Sequence, residues 1–308
     1  MQISTSPPPY ASPPVQLYAR KLGIDLTTVG ATGPRGRILQ EDVERYIRAA
    51  LGRANAIATS SANTLLRGDT APEIDFANFG SIERQPLSRV RRLSGPALTR
   101  SWQTIPHVTN FDEADVTDLE AFRVSLIGAA SAGEAKVTML AFLIKAAAAA
   151  LKTFPELNAS LSGGDIVLKR YVHIGFAVDT PGGLLVPVIR NCDAKGVREL
   201  ATEMAGLAGR ARDGKLNATE MQGGCFSISS LGGIGGTGFT PIINAPEVAI
   251  LGAARAAMKP QWNGSAFVPR LMLPLCLSWD HRVIDGALAA RFLSHLCGLL
   301  ADLRRVGL

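Results

Sequence analysis

The stretch "LMLPLCLSWDHRVIDGALAARFLSHLCGLL", residues 271–300, changes its hydrophobic period halfway along. Leu271, Leu273, Leu275, Leu277 and Trp279 alternate with other residues and so share one face of a strand, because successive strand side chains point to opposite faces. After Gly286 the spacing turns helical, with Leu288, Phe292, Leu296, Leu300 and Leu303 aligned on one side. Pro274 has no N–H to give a ladder, which predicts an edge strand or a bulge. Between the two elements, "SWDHRVIDG" places His281 at the exit of a strand, where a rigid scaffold can present an accessible side chain. Taken alone, the spacing of His281, Asp285 and Gly286 reads as a polar turn whose aspartate caps the following helix.

Outward from this stretch the chain alternates elements, which predicts an α/β domain. Helices are expected over 118–130, 135–154, 197–211 and 287–306 from their 3.6-residue periodicity. Strands are expected over 171–178 and 184–189, flanking the turn "DTPGG", and over 225–231, 247–254 and 271–279. Towards the N-terminus, residues 1–10 are a Pro- and Ser-rich flexible lead-in. Residues 11–48 form a small two-helix domain: Val15, Leu17 or Tyr18, and Leu22 face one way before a C-cap at Gly23, and Leu39, Val43 and Ile47 do the same after the loop "TGPRGRI". Residues 49–71, rich in Ala, Ser, Thr and Asn, read as a linker, and 72–308 as the large domain.

Composition narrows the function classes. At 308 residues, 47% hydrophobic and 19% charged, the chain suits two globular domains with apolar surface to spare for a subunit interface. The net charge of +6 comes without a dense basic run or aromatics interleaved with basic residues, so nucleic acid is not expected as a partner. Cys192, Cys225, Cys276 and Cys297 lack CxxC or Cys/His metal spacing, which points to buried thiols in a reducing compartment and to no metal site. The N-terminus carries no secretory pattern, and the apolar run "VTMLAFLIKAAAAAL" holds Lys145 at its centre. A cytoplasmic protein with no membrane span is expected, the mitochondrial matrix being the alternative.

"LSWDHRVIDGALAARFL" resembles the DHRxxDG active-site signature of the dihydrolipoamide acyltransferases, the E2 cores of 2-oxo-acid dehydrogenase complexes. "IDFANFGSIERQPLSRV", "HIGFAVDTPGGLLVPVIRN" and "GGCFSISSLGGIGGTGFTPIINAPEVAILG" resemble the same family in the same order, so the likeness covers about residues 72–308. Residues 11–48 are similar to its peripheral subunit-binding domain, through "ASPPVQLYARKLGIDL" and "GPRGRILQEDVERYI". "DFANFG", "IPHVT" and "FTPIINAPEVAILG" are most similar to the bacterial pyruvate dehydrogenase branch.

The resemblance implies a chloramphenicol-acetyltransferase-like α/β (α+β) domain with a mixed sheet. It also implies acetyl transfer between dihydrolipoamide and coenzyme A, and an assembly core built from homotrimers. His281 would be the base, Ser229 the oxyanion donor with Ser230 as the alternative, and Asp285 an orienting group. In the family fold the serine and the histidine come from neighbouring subunits. A thiol of pKa about 8.5 is mostly protonated near neutrality, so a histidine base suits the reaction. Coenzyme A enters as substrate; no lipoyl hairpin is present, and "CDAKG" around Lys195 lies inside the large domain, so the lipoyl group is expected on another chain or a missing segment. Arg20, Arg35 and Arg37 would meet carboxylates on E1 or E3 components, while Gln16 departs from homologues with a further arginine. The other readings are a non-catalytic scaffold of the complex, succinyl or branched-chain specificity, and a small-molecule acyltransferase of the chloramphenicol type. His107, His173 and His295 are expected to be structural or interface residues.

Overall fold

The computed structural model describes residues 10–50, 74–129 and 133–306. Apart from Tyr10 and residues 49–50, the expected lead-in and linker lie outside these. The chain divides into two compact units, 1–84 and 85–308.

In the first unit, α1 (Pro13–Lys21) opens with a proline at N1 and is followed by Gly23 at φ 68°, the left-handed conformation that glycine adopts without cost. A loop with two 3-10 turns leads to α2, residues 40–50. Val15, Val29, Ile38 and Val43 make the core, with Tyr18 and Ile47 packed against it. Leu17 and Leu22 instead face solvent, so Tyr18 and Ala19 complete the inner face that spacing alone left open. Asp42 is the polar centre of the unit. Its buried carboxylate accepts from Thr32 N and Leu39 N at 3.0 Å and from Thr32 Oγ1 at 2.7 Å, and these bonds hold its pKa down to about 2.

The second unit is built on a mixed sheet. Its elements are α3 (Arg89–Thr104), β1 (His107–Asp115), α4 (Thr117–Gly128), α5 (Met139–Thr153), β2 (Ala159–Ser162), β3 (Asp165–Leu168), β4 (Ile174–Phe176), β5 (Val188–Ile189), α6 (Val197–Arg212), β6 (Phe226–Ser230), β7 (Ala249–Ala253), β8 (Ala257–Trp262), β9 (Phe267–Asp280) and α7 (Gly286–Ala301). The sheet runs β1-β9-β7-β6-β4-β5, with β8 also paired to β9 and β2-β3 a separate hairpin. β4, β6 and β7 are parallel neighbours, whereas β9 runs antiparallel to β1, β7 and β8. Leu273, Leu275, Leu277 and Trp279 of β9 join Phe142, Leu200 and Phe292 of the helices in one core, which is why the alternating and helical patterns meet at residues 271–300.

Three expectations change. Pro274 sits in the middle of the longest, central strand, so of its two expected placements the edge is lost and the bulge holds: from Ala253↔Leu275 to Ala257↔Met272 the β7–β8 side takes four steps against three along β9. Its carbonyl accepts from Ala254 N at 3.1 Å, so its nitrogen faces the same side, where β7 has ended and the bulge before β8 tolerates the missing donor. The strands expected over 171–178 and 184–189 shrink to β4 and β5, joined beyond them by a bridge from Val178 to Leu185. The last helix stops at Ala301, and Leu303 falls in a 3-10 turn. Helix α3 and the β2-β3 hairpin had no expected counterpart: α3 buries only Ser101, so it carries little of the apolar stripe by which helices are read. Among the described residues no helix is long and apolar enough to cross a membrane.

Candidate active site

His281 stands one residue past the end of β9, exposed, its ring tilted against Trp279 with centroids 4.8 Å apart. Its backbone N–H donates to Pro106 O at 3.1 Å, and among the described residues no hydrogen bond engages the ring. The turn is organised by its neighbour Asp280, which is 1% exposed. The Asp280 N–H donates to Val248 O, and its carbonyl accepts from Val283 and Ile284 N–H at 3.0 Å. Its carboxylate takes Arg282 Nε and Nη2 at 2.9 and 2.6 Å and the Arg282 backbone N–H at 3.0 Å, which raises the guanidinium pKa further. Asp285 is the N-cap of α7: Oδ1 accepts from Leu288 N at 2.7 Å. That bond satisfies one orphan donor of the first turn, and no hydrogen bond joins Asp285 to His281 among the described residues.

Ser229 is half-buried on β6, and Ser230 beside it is exposed. Ser229 stands opposite Gly252 on β7, which stands opposite Cys276 on β9, itself opposite Phe111 on β1. These four share the sheet face away from the helices, since their neighbours Ile228, Leu251 and Leu277 enter the core. The segment after β6 crosses this face. A Cβ on Gly252 would lie 2.8 Å from Phe239 Cζ and 3.0 Å from its Cε1, so glycine at 252 is the seat of that ring, next to Ser229. Further along, Phe111, Thr237, Gln261 and Cys276 border a groove of about 490 Å³. A cavity of about 880 Å³ lies between α5 and α7 and includes His295 but neither Ser229 nor His281.

Ser229 and His281 do not meet within one chain. His281 is five residues beyond Cys276, and two inter-strand steps separate β6 from β9. At about 3.3 Å per residue and about 4.8 Å per strand, they stand about 19 Å apart.

The other titratable groups have local tasks. His107 has both ring nitrogens engaged, with Ile105 O at 2.8 Å and the Ile243 N–H at 3.0 Å. His173 accepts from Asn191 N at 3.1 Å through Nδ1, and burial lowers its pKa. Lys145 is buried and donates to Asp193 O and Lys195 O at 3.0 and 2.8 Å. Among the described residues no group of three His, Cys, Asp or Glu could hold a metal. Burial pushes the Cys192 thiol up to about 12. Arg20, Arg35 and Arg37 are exposed on the first unit; Arg37 lies over the Tyr10 ring at 4.6 Å and bonds its hydroxyl.

Glu247, just before β7, is 4% exposed. Oε1 accepts from Asn244 Nδ2 at 3.4 Å, while Oε2 and Ser227 Oγ have no partner among the described residues. Burial pushes the carboxyl pKa up from 4.5 to about 7. Below pH 4.5 the group is protonated in folded and unfolded chains alike; as pH rises towards 7 the unfolded chain ionises first and stability is lost. Glu247→Gln is therefore expected to match the parent in melting at pH 4.5 and exceed it at pH 8, by up to about 3 kcal/mol. Thermal unfolding at both pH values checks this.

Comparison with known proteins adds the following. Residues 79–308 match the family described as 2-oxoacid dehydrogenases acyltransferase (catalytic domain), and residues 9–44 match the e3 binding domain. The chain is 57% identical over 302 residues to the dihydrolipoyllysine-residue acetyltransferase component of the pyruvate dehydrogenase complex of Cupriavidus necator, covering 96% of this chain and 55% of that one. Against the same component of a Buchnera aphidicola from Schizaphis graminum, it is 45% identical and covers 96% of this chain and 72% of that one. The chain spans about half the length of the Cupriavidus necator, Pseudomonas aeruginosa and Azotobacter vinelandii relatives it matches. Azotobacter vinelandii dihydrolipoamide acetyltransferase, solved in work on a serine, a histidine and an asparagine of its catalytic mechanism, superposes with a TM-score of 0.77 at 56% identity, covering 78% of this chain and 100% of that one. The cubic core of the pyruvate dehydrogenase multienzyme complex gives the same values.

Proposed function

Because the chain belongs to the 2-oxoacid dehydrogenase acyltransferase family, we propose that it moves an acetyl group between dihydrolipoamide and coenzyme A, as the core of a pyruvate dehydrogenase complex. One observation carries the residue assignment. In the Azotobacter protein the serine precedes the histidine by 52 positions and the asparagine follows it by four, and the same intervals separate Ser229, His281 and Asp285. The interval supports Ser229 over Ser230. The third position differs, aspartate here for asparagine there, and Asp285 caps α7; its role is to fix the start of that helix and the end of the His281 turn.

The chemistry follows from these groups. The thiol of coenzyme A, or of dihydrolipoamide in the reverse direction, attacks the acetyl thioester carbonyl. His281 takes the thiol proton as the new C–S bond forms, Ser229 donates a hydrogen bond to the tetrahedral oxyanion, and the old C–S bond breaks. The proton on His281 then passes to the leaving thiolate. With about 19 Å between the two residues in one chain, the site requires Ser229 of one copy and His281 of another, which supports homotrimers as the working unit. Residues 11–48, with Arg20, Arg35 and Arg37 exposed, serve to dock E1 or E3 components through carboxylates. The lipoyl group reaches the site on a lipoyl domain, and the bacterial relatives favour a cytoplasmic complex.

The test is acetyl transfer from acetyl-CoA to free dihydrolipoamide by the assembled chain. Turnover supports the enzyme; a correctly assembled but inert oligomer leaves only the scaffold. Acyl choice depends on Phe239, which the Gly252 seat holds beside Ser229. Phe239→Ala is expected to raise the isobutyryl-to-acetyl ratio of kcat/KM by about tenfold or more, the scale of one or two methylenes in a pocket. An unchanged ratio removes Phe239 from the acyl site.

A further inference from the structure

We propose that the Asp280–Arg282 pair is a positioning device for His281, in which the guanidinium both locks the turn and cancels the carboxylate's charge beside the imidazole. The inference rests on the proposed role of His281 as base. Every polar group of Asp280 serves the turn: its N–H ties it to Val248, its carbonyl gathers Val283 and Ile284, and its carboxylate holds the Arg282 amide. His281, enclosed by these bonds, contributes its backbone N–H, while its ring lies against Trp279 and makes no hydrogen bond among the described residues.

A carboxylate suits that task but burdens a neighbouring base. A buried anion one residue away favours the imidazolium, the form that cannot accept a proton. Arg282 meets both carboxylate oxygens, Nε at 2.9 and 3.1 Å and Nη2 at 2.6 Å, so the pair presents no net charge to the ring. Asparagine at 280 would keep some of the backbone bonds and lose this fork. Asp285 caps α7; His107, opposite Asp280 on β1, has both ring nitrogens engaged; and Glu247 precedes Val248 with its carboxyl buried.

The test compares the assembled parent with Asp280→Asn, Arg282→Gln and Arg282→Lys. Diethyl pyrocarbonate acylates the neutral imidazole and not the imidazolium, so the pH midpoint of modification at His281, located by peptide mass, reports the ring without turnover. With Arg282→Gln the midpoint is expected to rise by about one pH unit and with Asp280→Asn to fall by about as much, and the acid limb of the acetyl-transfer rate should move with it. Arg282→Lys keeps the charge and loses the fork, so the midpoint stays while kcat falls about tenfold at unchanged KM. Midpoints that stay fixed or shift together in the first two variants overturn the proposal, as does a lysine variant with parental kcat. Should Arg282→Gln fail to assemble, the other two decide by the same readings. A parent that transfers no acetyl defeats the assigned reaction instead, and the midpoints still judge the pair.

Discussion

His281→Ala is expected to cut kcat/KM for acetyl transfer by about 10² to 10⁴-fold, the range for loss of a general base, with melting and assembly unchanged. Without the base, the attacking thiol must shed its proton to water, and at a pKa of about 8.5 little thiolate exists near neutrality to compensate. Stability should hold because the ring is exposed and makes no hydrogen bond among the described residues; the turn is tied by Asp280 and by the His281 backbone N–H, which alanine retains. Raising the pH should recover part of the activity, since thiolate then forms on its own. Steady-state rates between pH 6 and 9, beside a melting curve, check both halves. A loss of less than about tenfold would make His281 an ordinary turn residue.

Ser229→Ala is expected to lower kcat by about a hundredfold with little change in KM, because one preorganised donor to an oxyanion contributes on the order of 3 kcal/mol in the transition state alone. Ser230→Ala is the control. Ser230 is adjacent in sequence but lines a different cavity, with Arg123, Thr138 and Arg255, because successive strand residues point to opposite faces. It should retain nearly full activity. If Ser230→Ala shows the loss and Ser229→Ala does not, the serine assignment moves by one residue and to the other face of the sheet.

The strand, turn and helix around His281 were legible because one face of each is buried in the same core, so the period-2 and 3.6-residue patterns survive in the sequence. For Pro274 a bulge was legible as one of two placements, but the choice between bulge and edge was not. Whether a missing donor matters depends on where the neighbouring strands stop, which is set by residues around 254 and 257 rather than by β9 itself. Helix α3 escaped for the opposite reason: Leu93, Leu98 and Trp102 are exposed in one chain, so no buried stripe marks it. At the site, the types and order of Ser229, His281 and Asp285 could be read, and so could the capping alternative for Asp285, which the Leu288 N–H bond makes real. Arg282 and Asp280 stood in the quoted motif, and an acid and a base two residues apart was the available signal. Their fork could not be inferred, because it depends on Asp280 being buried between β1 and β7. Nor could the Phe239 seat, since only the register of β6, β7 and β9 places Gly252 between Ser229 and Cys276.

In the proposed site Ser229 and His281 come from two copies of the chain, and acetyl transfer by a particle co-assembled from equal amounts of Ser229→Ala and His281→Ala chains tests this. If each site draws its serine from one subunit and its histidine from the next, random mixing makes about a quarter of the sites fully intact, and activity should return to about a quarter of the parental value although each variant alone is nearly inert. If serine and histidine act within one chain, every site carries a lesion, and the mixed particle will be as inactive as the pure variants.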